Sequence, residues 1–114
     1  MSGQPKPVPN DMSASWDLVL QDIESAVPGY PERRKDLVIA DIKQRDSQGE
    51  KKYGVRLQPY NGRDSLQDAY EEVMDLVVYL RNCYSEGQPV RSSYYMAISL
   101  MMNLRDTIYQ RDCK

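Results

Sequence analysis

The 114-residue chain is long enough to bury one core, and its 15 Lys and Arg against 17 Asp and Glu give a formal net charge of -2. That balance argues against a nonspecific grip on nucleic acid or anionic membrane, which take basic surfaces, but leaves nucleotide-sized phosphates open to a local cation. The chain has no histidine, which excludes Ser-His-Asp and Cys-His nucleophiles and His-ligated zinc and leaves carboxylate chemistry with hard cations.

Residues 1–12 hold three prolines among small polar residues and read as a disordered arm before a single all-α domain over 13–114. The first ten residues lack the apolar core of a signal peptide. Cys83 and Cys113 form no CxxC pair, so reduced thiols in the cytoplasm are expected. No apolar run approaches the roughly 20 residues that span a bilayer, so no membrane partner is expected.

A first helix is predicted over about 16–26, with Ser15 as cap, Asp17 in the first turn, and Trp16, Val19 or Leu20, Ile23 and Val27 at helical spacing. "PGYP" at 28–31 breaks it. A second helix is predicted over about 32–51, with Pro31 at its first position. Leu37, Val38, Ile39 and Ile42 give it an apolar patch, and Gly54 suits its terminator. Residues 54–63 form a loop with an Asn61-Gly62 turn; Val55 and Leu57 tuck beneath it, and Tyr53 serves as a core anchor.

The third helix is predicted over about 65–84. Asp64 and Gln67 stand at capping-box spacing, Asp64 accepting from the first turn and Gln67 reaching back. Leu66, Tyr70, Val73, Val77, Leu80 and Tyr84 step by four and three and make a seam for other helices. The fourth helix is predicted over about 92–110, capped by Ser92 or Ser93, with Tyr94, Ala97, Met101, Leu104 and Ile108 as its seam. Met96, Ile98, Leu100 and Met102 lie off that seam, and a helix apolar on most sides is buried on most sides. The expected architecture is an all-α bundle of about four helices, completed by a homo-oligomer.

The third helix carries the chemistry. Asp64, Asp68, Glu71, Glu72 and Asp75 lie on the half opposite the seam, with Asp68, Glu72 and Asp75 stacked at i, i+4 and i+7. No lysine or arginine is interleaved between 64 and 80. Like charges at these spacings repel by about a few tenths of a kcal/mol per pair. The same half continues into Val78 and Tyr79, which predicts that it meets protein. Carboxylates crowded beside buried surface are eased by a divalent cation with oxygen ligands. The bland alternative is the wet side of an amphipathic helix.

The run "KKYGVRLQPYNGRDSLQDAYEEVMDLVVYL", 51–80, and its extension through "YLR" to residue 81 resemble short MazG-like all-α nucleoside triphosphate pyrophosphohydrolases of phages and bacteria. The likeness spans about 36–84, and its ExxD motif falls on Glu72-Val-Met-Asp75. It implies Mg²⁺ or Mn²⁺ as cofactor, a nucleoside triphosphate as substrate, its monophosphate and pyrophosphate as products, and a dimer or tetramer. It implies Glu72 and Asp75 as metal ligands, with Asp68 and Glu50 as candidates for the rest. Glu71 and Glu72 are the candidate catalytic carboxylates, Lys52 and Arg63 candidate phosphate contacts, and Asn61 a candidate base contact. The family's first motif, EExxE on the preceding helix, is absent; Asp41, Asp46 and Glu50 stand there in another register. The alternative is a non-catalytic helical module of the same fold that binds a nucleotide or a protein.

Overall fold

The computed structural model describes residues 3–26 and 29–113. Among them are four helices and no strand: α1 Ser15–Ala26, α2 Glu32–Tyr53, α3 Ser65–Ser85 and α4 Arg91–Asp112. The all-α expectation holds, with each end within about two residues of its predicted place. Val27 and Pro28, read as part of the α1 stripe and the break after it, lie outside the described residues. The chain forms two compact units, one from Gly3 to Arg63 and one from Asp64 onward.

In the first unit α1 and α2 pack against each other. Trp16, Leu20 and Ile23 are half-buried, whereas Val19 is exposed. Pro31 is the N-cap of α2, with φ -55° and ψ 127°, rather than its first residue. Its fixed φ suits either position, and the extended ψ places it outside the helix. The predicted patch on α2 is only half covered: Ile39 and Ile42 are half-buried, Leu37 and Val38 exposed. α1 has 12 residues against 22 in α2 and cannot cover its length. The residue of α2 that is buried is Lys35, whose Nζ lies 3.7 Å from Glu24 of α1 and 3.4 Å from Glu32. A covered ammonium needs such partners.

α2 ends as predicted. Gly54 takes φ 77° and its N–H donates to the Glu50 carbonyl at 2.8 Å, a left-handed cap that glycine adopts without a Cβ penalty. Tyr53 is exposed beneath the Lys52 ammonium rather than anchored in a core. Val55 is half-buried as expected, but Leu57 is exposed, and its carbonyl accepts from the N–H of Ser15. That bond uses Ser15 through its backbone, and Ser15 is the first residue of α1 rather than the cap before it.

Residues 3–12, expected as a disordered arm, are hydrogen-bonded along the loop. The Val8 N–H donates to the Asn61 carbonyl at 2.8 Å. The Asn10 amide donates to the carbonyls of Pro59 and Tyr60, and the Gln58 amide donates to those of Asn10 and Met12. Proline-rich chain has few bonds of its own to make, and here another segment supplies them.

In the second unit α3 and α4 form an antiparallel hairpin. At its open end Arg111 donates to the Asp64 carboxylate at 2.8 Å, and at its closed end the rings of Tyr84 and Tyr94 lie 5.9 Å apart. The α3 seam is half-buried throughout, and α4 turns Ala97 and Ile108, each 5% exposed, toward it. The Asp64 cap is present, its carboxylate accepting from the Gln67 N–H at 3.1 Å, but the Gln67 side chain donates forward to Glu71 instead of back. α4 begins one residue earlier than expected. Val90 stands at its N-cap with no side-chain bond, leaving Ser92 and Ser93 inside the helix.

Candidate functional site

The α3 carboxylates divide by environment. The Asp64 carboxylate accepts from the Gln67 N–H and from Arg111. The hydrogen bond from Arg111, more than that from Gln67, holds its carboxyl below the usual carboxylate range. Its capping duty thus explains it without a metal. Asp68 and Glu71 are half-buried, and Glu71 accepts from the Gln67 amide at 2.8 Å. Glu72 and Asp75 are exposed.

Val78 and Tyr79, expected to carry this half of α3 against protein, are exposed within the chain. Apolar identity predicted cover, but α4 packs along the opposite seam and leaves these positions outside. The crowding of Glu72 and Asp75 is therefore relieved by water at least in part. Among the described residues no group of three or more carboxylates and cysteines is arranged to hold a metal ion. Glu50 is exposed on α2. The residues do fit a looser mode of binding. Mg²⁺ keeps several waters and commonly takes one or two carboxylates plus substrate phosphates. Glu72 and Asp75, one helical turn apart, supply two carboxylates of that kind.

The basic candidates sit in different settings. Lys52 is exposed, its ammonium 5.2 Å from the Tyr53 ring centre. Arg63 is half-buried and donates to the Pro5 carbonyl at 2.8 Å. Asn61 is buried. Its side-chain oxygen accepts from the Arg63 N–H at 3.1 Å, closing the turn in which Gly62 takes φ 85°. That bond commits the Asn61 side-chain oxygen to shaping the loop.

The partners of Arg56 are far from it in sequence. Its guanidinium takes the Asp46 carboxylate of α2 through Nε at 3.0 and 3.2 Å, and the Asp17 carboxylate of α1 through Nη2 at 2.8 Å. The Asp46 bond, then the Asp17 bond, raise its pKa further. Beside it an open cavity of about 350 Å³ is lined by Pro9, Asn10, Met12, Ala14, Val55, Arg56 and Gln58. None of the candidate ligands or phosphate contacts lines it. A closer count of acids at i–10 and i–39 would not have found the clamp, because only the fold sets those separations.

Among the described residues no helix is long and apolar enough to cross a membrane. Compared with known protein families, curated proteins and solved structures, the chain matches none.

Proposed function

We propose that the chain is a Mg²⁺-dependent nucleotide pyrophosphohydrolase, cleaving a (deoxy)nucleoside triphosphate to its monophosphate and pyrophosphate. The observation that carries the reading is the Glu72–Asp75 pair. Two carboxylates stand one turn apart on α3, exposed and without a cation among the described residues, in a helix that carries no base before Arg81. In this reading the pair binds the metal that accompanies the nucleotide, Asp68 of the same stripe assists, and the substrate phosphates complete the shell. Bound there, the ion would neutralise phosphate charge and acidify a water. A carboxylate of the stripe accepts the proton of the attacking water. Glu71, already holding the Gln67 amide, is assigned no part in that chemistry.

The test is pyrophosphate release from a panel of canonical and modified triphosphates in Mg²⁺ or Mn²⁺. Glu72→Gln and Asp75→Asn should each lower turnover by more than the roughly 10–100-fold typical of losing an outer-shell partner. Unchanged turnover in both removes the pair from the site.

A specific observation favours a second reading, a helical module of the same fold that binds without hydrolysing. Glu72 and Asp75 reach water, and no third ligand converges on them among the described residues. Calorimetric titration separates the two: nucleotide binding in Mg²⁺ and Mn²⁺ without product selects the module.

A further inference from the structure

We infer that the outer face of the α3–α4 hairpin is a self-complementary surface that pairs with a second copy of this chain, about a two-fold axis at the level of Leu76 and Met102. The hairpin leaves much apolar surface uncovered: Val78 is 59% exposed, Met102 58% and Tyr109 60%. A quarter-turn round from its seam, α3 presents Gln67, Glu71, Met74, Val78, Arg81 and Ser85 in one stripe. These positions are symmetric about residue 76. Met74 mirrors Val78, Glu71 mirrors Arg81, and Gln67 mirrors Ser85.

α4 repeats the device. Both helices wind right-handed, so in an antiparallel pair the positions a quarter-turn past each seam lie on the same side of the hairpin. On α4 these are centred on Tyr95, Met102 and Tyr109, all exposed and symmetric about residue 102. The two centres are level with each other. Asp64 meets Arg111 and Tyr84 meets Tyr94, which sets residue 76 beside about residue 101, within about 1.5 Å of rise of Met102.

One axis therefore serves both helices. A two-fold lying in the face, perpendicular to the helices, lays α3 antiparallel on α3 and α4 antiparallel on α4. Met74 then meets the partner's Val78, and Tyr95 meets the partner's Tyr109. Met102 meets its own copy on the axis. Each contact off the axis occurs twice, as an isologous interface requires. The charges agree with the apolar register. Glu71 comes opposite the partner's Arg81 at both ends of the apolar patch. Arg81 has no carboxylate partner among the described residues and is held by the rings of Tyr84 and Tyr94 at 5.0 and 5.8 Å. The product is a four-helix bundle that covers what one hairpin leaves exposed.

The inference deepens the oligomer expectation and does not rest on hydrolysis. Sedimentation velocity across a concentration series should show a dimer. Arg81→Glu faces each Glu71 with a like charge and should weaken it about tenfold or more. Combining it with Glu71→Arg restores the pair and should restore the dimer, with far-ultraviolet circular dichroism confirming folded helices in each variant. With Cys83→Ser and Cys113→Ser in place, Met102→Cys should cross-link on oxidation and Val78→Cys should not. A monomer at every concentration overturns the interface. A dimer indifferent to Arg81→Glu, or one in which Met102→Cys fails to link, overturns the register. A dimer without pyrophosphate release removes the enzyme reading alone, and a hydrolysing monomer removes this one alone.

Discussion

Arg56 joins three parts of the first unit with one planar group. Five donors in a fixed fork suit two carboxylates at once, which a lysine in its place would not reproduce. Its side chain is 33% exposed and that of Asp46 16%, so this pair is sheltered more than the Asp17 arm at 51%. The clamp ties folding to pH. The hydrogen bond from Arg56 lowers the Asp17 pKa below its ordinary value, outweighing burial, which pushes the other way. A depressed pKa stabilises the fold above the unfolded value, and the contribution is lost as pH falls through the folded one. Stability should therefore be flat near neutrality and decline below about pH 4. Arg56→Met should lower stability at pH 7 and flatten the Asp17 part of that acid limb, leaving the part owed to Asp64. Urea unfolding at stepped pH measures both. The clamp was illegible beforehand because guanidinium and carboxylates lie 10 and 39 residues apart. Asp64 was legible because its partner Gln67 is three residues on.

At the scale of the element, two glycines of α2 have opposite tasks. Gly54 ends the helix at positive φ, whereas Gly49 lies within it, and a Cβ added at Gly49 meets nothing within 4 Å. Gly49→Ala should stabilise by about 0.5–1 kcal/mol, since glycine loses most freedom in a helix interior. Gly54→Ala should cost about 1 kcal/mol or more, because an L side chain resists that backbone. Chemical unfolding of both variants checks the contrast, and equal signs would refute it. The paired seams of α3 and α4 were readable because period and apolarity coincide there. Val78 and Tyr79 stay outside within the chain, because apolarity alone does not say whether the neighbour comes from the same chain or from another. The start of α4 was misread because a serine is a preferred cap, yet Val90 holds that place unaided.

For the molecule as a whole, residues 3–12 show what composition cannot report. Prolines and small polar residues predict an arm without internal structure; it is instead bonded to the loop that ends α2 and closed on itself where the Met12 N–H donates to the Asn10 side-chain oxygen. Asn10 is its main tether, with one amide group donating to two carbonyls at 2.9 and 3.0 Å. Asn10→Ala should release the arm while leaving the four helices in place. Hydrogen exchange should speed at Val8 and Met12, whose N–H groups are bonded in the wild-type chain, with little change in α3 and α4. The acidic stripe was legible as a pattern of residues. What it binds was not, since a ligand shell depends on neighbours from elsewhere in space.

The tether also sets an order of events during synthesis. Asn10 leaves the ribosome well before its partners, because the carbonyls it grips stand 49 and 50 positions later in the chain. At 5–20 residues per second the leading segment waits roughly 2.5–10 s for its berth. Contacts of such separation close late, whereas the hairpin, joined by a short turn, needs no distant stretch to form. A nascent chain halted before Pro59 should therefore present residues 3–12 to proteases and chaperones, and that exposure should end once the loop has emerged.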